Sequence, residues 1–162
     1  MEAKTILKKV LDDYRRITGL RSYIVYEEGD VQSASEKNYF CKCLKLSGKA
    51  LEKCEECTKE TFAETQDIDK ECIYSCHAGL IKWAVPVNFE DYRCVIVSEG
   101  IIAQKQMEEA EQWAKYLSKE YKLNEDMVLR NFKVIHTMNE AQMKASIELL
   151  KDLIDYHYAM NK

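Results

Sequence analysis

Seven cysteines in a chain of 162 residues constrain what this sequence can fold into more than any other feature. Their odd number excludes complete pairing into disulfides. The N-terminus is charged and contains no apolar signal-peptide core. We therefore expect a cytoplasmic protein with mostly reduced thiols. In a reducing compartment, clustered cysteines indicate metal binding or redox chemistry more often than structural disulfides.

The composition bounds the class of protein. Hydrophobic residues make up 46% of the chain and charged residues 32%, which is typical of a globular domain. Neither a linker nor an internal repeat divides the chain, so we predict a single domain over residues 1–162. No apolar run reaches the roughly 20 residues of a transmembrane helix, and the net charge of −4 argues against direct nucleic-acid binding. We expect neither a membrane nor a nucleic-acid partner.

The first part of the chain reads as a helix followed by a strand. Apolar residues recur at helical spacing from Ile6 to Tyr14, and Gly19 is suited to end that helix. Residues 21–26 are rich in β-branched and aromatic side chains, which predicts a strand that Gly29 and Asp30 end.

The remainder predicts two long strands and three helices. A helix begins after Ser47, a suitable N-cap. Residues 72–87 and 92–101 indicate two strands joined by a short polar turn, as in a hairpin. Helices are predicted over 106–121 and, with a long amphipathic pattern, over 137–160. The order of elements predicts the α+β class, an antiparallel sheet flanked by helices with a long C-terminal helix.

Zinc–thiolate geometry selects among the cysteines, because a tetrahedral ion with Zn–S bonds of about 2.3 Å needs its sulfurs roughly 4 Å apart. Cys54 and Cys57 meet this condition, since positions i and i+3 of a helix share one face. Cys72 and Cys76 resemble a second zinc-ribbon pair by spacing. On an extended strand, however, their Cα atoms would lie roughly 13 Å apart. Cys76 alone is therefore the preferred contribution from this strand.

The fourth thiolate comes from the segment just before the helix, where geometry does not choose between Cys41 and Cys43. The preferred metal set is Cys41, Cys54, Cys57 and Cys76. Four thiolates suit Zn²⁺ or a [4Fe–4S] cluster, and the spacing does not separate the two. The alternative for each cysteine is a small buried side chain, favoured for Cys72 and Cys94.

Chemistry other than metal binding is also open to these residues. Strand alternation puts Tyr74 and Cys76 on one face and His77 on the other, unless the strand bends at Gly79. We therefore expect no thiol–imidazole pair and no enzyme activity. A thiol–disulfide protein using Cys54 and Cys57 is an alternative, although the usual redox motif opens a helix whereas this pair lies within one.

A small-molecule cavity is expected where helices cover the concave face of the sheet. Tyr74, His77 and Trp83 are the candidates for its lining. A place in the hydrophobic core is the alternative for Trp83, because large aromatic side chains are mostly buried. For His77 the alternative is a hydrogen-bonded position in a turn or in the core.

Three stretches of the sequence resemble the PocR-type sensory domain, and the resemblance covers nearly the whole chain. They are Phe40-Cys41, Cys54-Glu55-Glu56-Cys57 and residues 74–87, with Gly100 falling where that family ends its next strand. The resemblance implies a PAS-like fold, usually at the front of transcription regulators and sensor kinases, that senses small organic molecules. Carried over by position, the family's cysteines fall on Cys41, Cys54, Cys57 and Cys76.

Two departures from the family pattern qualify this expectation. Residues 90–94 stand where the family has a glycine-containing turn and a following strand glycine, and neither a helix-turn-helix nor a kinase segment follows the domain. We therefore expect a stand-alone sensor, or an excised domain, that senses a small ligand or redox state and signals through a protein partner. Pairing as a homodimer through the C-terminal helix is expected. A purely structural zinc-binding interaction module is the alternative.

Overall fold

Four antiparallel strands form the sheet of this computed structural model, which describes residues 2–27 and 38–161. The spatial order is β1-β4-β3-β2, so that β1 and β2 form the two edges. Register pairs Ile24 with Ile96 and Val85 with Ile96 across the middle of the sheet. The strands are β1 (Ser22–Val25), β2 (Cys72–Ser75), β3 (Ile81–Phe89) and β4 (Tyr92–Ser98).

Seven helices surround the sheet in the described part of the chain. The first ends as predicted, because Gly19 adopts the left-handed conformation with φ +77° and its N–H bonds back to Arg15. The last is capped by the Asn139 side chain, which accepts from the N–H of Gln142. The helices are α1 (Ala3–Thr18), α2 (Tyr39–Leu44), α3 (Gly48–Ile68), α4 (Gln104–Glu108), α5 (Ala110–Tyr121), α6 (Glu125–Phe132) and α7 (Glu140–Met160).

The two faces of the sheet pack against different helices. Side chains such as Trp83 and Ile96 pack in one apolar cluster with residues of α1 and α7. Val25 and Ala84 point the other way, toward Phe62 of α3. This arrangement confirms the α+β class, with an antiparallel sheet flanked by helices and a long C-terminal helix. None of the described helices combines the length and the apolarity that a membrane crossing requires.

A third cluster lies beyond the end of the sheet. Residues of α2, α5 and α6 gather there around Leu80, and the rings of Phe40 and Phe132 meet edge to face at 5.4 Å. Because Cys41, Cys76 and Ala78 belong to this cluster or pack against it, it forms one side of the region that the sequence singled out.

The prediction of one strand over 72–87 is wrong, because residues 76–80 form a tight turn between β2 and β3. The N–H of Gly79 donates to the carbonyl of Cys76, and the N–H of Cys76 donates to the carbonyl of Leu80, both at 2.9 Å. Gly79 has φ +84°, a conformation that favours glycine. The chain therefore reverses direction at Gly79, whose conformation favours glycine.

Smaller differences concern element boundaries. The helix expected over 106–121 is divided at Glu109 into α4 and α5, and α6 follows where no helix was expected. The hairpin turn is shorter than predicted, because Phe89 and Tyr92 already pair across it. The predicted strand end at Gly29 and Asp30 lies outside the described residues.

Candidate functional site

A cavity of about 40 Å³ lies between α2, α3 and the turn that joins β2 to β3. We call it the thiol pocket. All four cysteines of the preferred metal set line it, and Cys43 does not. Its defining residues are Cys41, Cys54, Cys57, Cys76, His77 and Lys82.

Helix caps fix the positions of three of these cysteines. Asn38 begins α2 by accepting from the N–H of Cys41 at 2.8 Å, which places Cys41 in the first turn of that helix. Ser47 begins α3 in the same way. Cys54 and Cys57 then lie one turn apart on α3, with side chains toward the sheet. Three separate segments thus supply four thiols to one cavity.

The turn brings His77 into the same pocket. The Sγ of Cys54 lies 2.9 Å from Nε2 of His77, and Nδ1 of His77 lies 2.7 Å from the hydroxyl of Tyr121. The expectation that no cysteine stands beside an imidazole is therefore wrong. Strand alternation does not apply to a turn, so Cys76 and His77 both face the cavity although they are neighbours in sequence.

The His77 ring is neutral at physiological pH. Burial is the main cause that lowers its pKa to about 4, and the charges of Lys53, Lys82 and Lys45 lower it further. One ring nitrogen therefore carries a proton and the other a lone pair. When Nδ1–H donates to Tyr121, the lone pair of Nε2 faces Cys54.

Helices α4 and α5 hold the turn from outside. The indole N–H of Trp113 donates to the carbonyl of Ala78 at 2.7 Å, and the side-chain amide of Gln106 donates to the carbonyl of Gly79 at 2.5 Å. A Cβ at Gly79 would come within 2.8 Å of the Trp113 ring. The position of His77 is thus set by contacts on both sides of the turn.

Lysine side chains lie near the cysteines, and one carboxylate, that of Glu55, also lines the pocket. Lys82 is only 6% exposed, and its ammonium donates to the Tyr23 hydroxyl at 2.9 Å. Burial raises the pKa of the Cys76 thiol, whereas Lys82 and the backbone N–H groups of Ala78 and Leu80 act in the opposite direction. Burial disfavours the thiolate form of Cys76, and the nearby N–H donors and the charge of Lys82 offset part of that cost.

The other residues named from sequence lie apart from the pocket, with one exception. Tyr74 lines the pocket. Trp83 is fully buried in the cluster beneath α1 and α7, on the opposite face of the sheet. Cys72 lies on β2, and Cys94 lies in the core, where burial raises its pKa to about 12.

Sequence reasoning missed two residues of the site. Lys82 carries a signal that could have found it, because a charged side chain in the apolar run of β3 requires a buried partner or a function. Tyr121 carries none, since only the packing of α5 brings it to His77.

The thiols and the imidazole that line the pocket are suitable ligands for a metal ion. Their side chains are not arranged around a common point as the ligands of a bound ion are. Within residues 2–27 and 38–161, no three Cys, His, Asp or Glu side chains are grouped as they would be around a metal ion. One donor pair, Cys54 and His77, is already in contact. All seven cysteines lie in the described part of the chain, and none of them forms a disulfide there.

Comparison with known proteins assigns the chain to a family. The family model described as the sensory domain found in PocR matches residues 3–161. The chain belongs to the PocR sensory-domain family. A curated relative, the Regulatory protein PocR of Salmonella typhimurium, is 23% identical over 152 residues, covering 93% of this chain and 49% of the relative. This PocR domain thus spans about half the length of the curated relative it matches. No solved structure matches the chain.

The resemblance inferred from sequence is therefore confirmed, and membership of a sensory-domain family fits a signal-sensing role. The confirmed family covers all of the segments that carried the resemblance, from Phe40 to Gly100.

Proposed function

We propose that this PocR domain receives its signal in the thiol pocket, which binds a metal through cysteine thiolates drawn from Cys41, Cys54, Cys57 and Cys76. One observation carries the proposal: four of the seven cysteines, from three separate segments, line a single cavity. Packing alone does not require cysteine at all four positions around this space, because other small side chains would fill it equally well.

The size of the cavity supports an ion over the other candidates. Its volume of about 40 Å³ is close to that of one or two water molecules. Pockets for organic ligands are commonly about 300–1,000 Å³, so a small organic molecule would require the pocket to expand. A [4Fe–4S] cluster brings eight further atoms into the same space. Zn²⁺ therefore fits this volume better than either alternative.

The surrounding charge supports the same proposal. Zinc bound by several thiolates carries net negative charge, and a buried negative charge needs compensation. Lys82 and Lys45 line the cavity, and Lys53 is close enough to lower the pKa of His77. These ammonium groups supply that compensation.

The output of the sensor is part of the proposal. The named relative is a regulatory protein, and this chain spans about half of it. We assign this chain a sensing rather than an enzymatic role, with a signalling protein as partner.

Homodimer formation through α7 is supported by Tyr156 and Met160, which are 57% and 67% exposed. We place the protein in the cytoplasm, because that reducing compartment keeps cysteine thiols unpaired and able to bind a metal.

Metal analysis of protein purified without oxygen, together with a visible absorption spectrum, tests the proposal. We expect one zinc per chain and no colour. Cys54→Ser should lose the metal and several degrees of melting temperature, because binding energy at a structural site is folding energy. Cys72→Ser is the matched control outside the pocket and should retain both. A metal-free wild type, or unchanged metal content in Cys54→Ser, would contradict the proposal.

A second candidate is a redox sensor using Cys54 and Cys57. The contact between Cys54 and His77 at 2.9 Å favours it, because an adjacent imidazole can take the thiol proton. Metal-free protein that forms a Cys54–Cys57 disulfide under mild oxidation, identified by peptide mass analysis, would support this candidate over the metal.

A further inference from the structure

We infer that His77 is itself a metal ligand of the thiol pocket, bound through Nε2 together with Cys54, Cys57 and Cys76, and that Tyr121 holds its ring in place. This inference rests on the proposed metal binding and names its ligands. It departs from the all-cysteine set that the sequence predicts.

The contact between Cys54 and His77 is the first support. Bonds of about 2.3 Å to sulfur and about 2.0 Å to nitrogen at a tetrahedral angle put the two ligand atoms ~3.5 Å apart. Sγ of Cys54 and Nε2 of His77 are 2.9 Å apart. An increase of about 0.6 Å in this distance would let both atoms bind one tetrahedral ion.

The second support is the partner of the other ring nitrogen. Histidine ligands commonly donate their second N–H to an acceptor that fixes tautomer and orientation. Nδ1 of His77 lies 2.7 Å from the Tyr121 hydroxyl, and the two rings meet edge to face at 5.7 Å. Tyr121 is only 5% exposed, and its backbone belongs to α5. This partner directs the lone pair of Nε2 toward the cavity.

The third support is that only two segments of the chain supply all four ligands. Cys54 and Cys57 lie one turn apart on α3, and Cys76 and His77 lie side by side in the turn after β2. These two segments already touch through Cys54 and His77. They supply three thiolates and one imidazole, a recognised structural zinc set. Cys41, from the third segment, is then a packing residue at 7% exposure.

Cobalt substitution tests the ligand set. The chain is prepared metal-free without oxygen and titrated with Co²⁺, recording the thiolate charge-transfer absorption and the visible d–d bands. We expect the wild type to bind one Co²⁺ as a tetrahedral site. His77→Gln should shift the d–d bands and weaken Co²⁺ binding at least tenfold, and Tyr121→Phe should weaken it about 10–100-fold without shifting them.

Two variants separate a ligand from a merely structural histidine. His77→Cys should retain Co²⁺ and increase the charge-transfer absorption, because it adds a thiolate at the same position. Cys41→Ser should leave the spectrum and the affinity unchanged, as should His136→Gln, which replaces an exposed histidine. Circular dichroism of each metal-free variant checks that it is folded.

The outcomes distinguish this inference from the proposal beneath it. Unchanged d–d bands and affinity in His77→Gln, or loss of charge-transfer absorption in Cys41→Ser, would overturn the role of His77 and leave a cysteine-only site. Failure of the wild type to bind Co²⁺ or Zn²⁺ would overturn metal binding itself.

Discussion

The two faces of the sheet differ in what they hold besides apolar side chains, and two adjacent residues of β3 show the difference. Trp83 points into the cluster beneath α1 and α7, where it is fully buried among apolar side chains. Lys82 points to the other face, where it lines the thiol pocket and bonds to Tyr23. The face toward α1 and α7 is closely packed with apolar side chains. The other face also packs apolar side chains, around Phe62, and beside them it holds a charged lysine, four thiols and an unfilled space. The largest fully buried side chain of the chain and the pocket proposed to receive the signal therefore lie on opposite faces of a single layer of backbone.

Trp83→Ala should produce the largest effect. Removal of a fully buried indole leaves a cavity and typically costs about 3–5 kcal/mol, which urea unfolding would measure. Metal content of the protein that remains folded should be unchanged, because Trp83 lies on the face away from the pocket. Ile17→Ala, at a position that is 62% exposed, is the control and should stay within about 0.5 kcal/mol. A small loss for Trp83→Ala would contradict the close packing described for this face.

Gly79→Ala should have the next largest effect, now at the pocket. The residue has φ +84°, and the new Cβ would lie 2.8 Å from the Trp113 ring, so we expect a loss of about 1–3 kcal/mol. Gly48→Ala is the matched control, because no atom lies within 4 Å of its new Cβ and Ala is the better helix former. Comparable unfolding free energies for the two variants would show that the turn is not constrained as described.

Acid should destabilise the metal-free protein through the pocket. The pKa of His77 is about 4 in the folded chain against 6.5 ordinarily, so the unfolded chain binds the extra proton between those values. Stability from this group is complete above pH 6.5 and is lost as the pH falls toward 4. We expect the melting temperature of the wild type to fall more steeply over this interval than that of His77→Gln. Parallel curves would contradict a buried neutral imidazole.

Lys82→Met should change reactivity more than stability. Its positive charge lowers the pKa values of both Cys76 and His77, so its removal should raise both. Alkylation of Cys76 in the metal-free protein, followed against pH by peptide mass analysis, should require a higher pH in the variant. Cys72 provides the internal control in the same digest, because it lies outside the pocket. An unchanged profile for Cys76 would remove Lys82 from the electrostatics of the site.

The sequence predicts most of the fold, for identifiable reasons. Gly19 marks the end of α1, and the β-branched and aromatic residues of 21–26 mark β1, because these patterns follow local backbone geometry. The division of the helix at Glu109 depends on packing between distant segments. Helix α6 has a local signal that the prediction did not use, the N-cap Asn124 followed by Glu125 and Asp126.

For the candidate site, the sequence predicted the cysteines better than the residues that surround them. Spacing selected Cys54, Cys57 and Cys76, and each lines the pocket, while metal binding by them stays a prediction. The turn was missed because an apolar run continues on both sides of it, although Gly79 offered the conformational signal. Tyr121 could not be found, since its contact with His77 spans 44 positions of the chain.

The hydrogen bond from Trp113 to the carbonyl of Ala78 has an optical consequence. The chain has two tryptophans, and Trp83 is fully buried on the face of the sheet away from the pocket. Trp113 is half-buried and bonds to the peptide next to His77, so any displacement of that peptide alters the environment of its indole. The domain thus carries one native fluorophore bonded to the turn that lines the pocket, and a second in the core against which its emission can be compared.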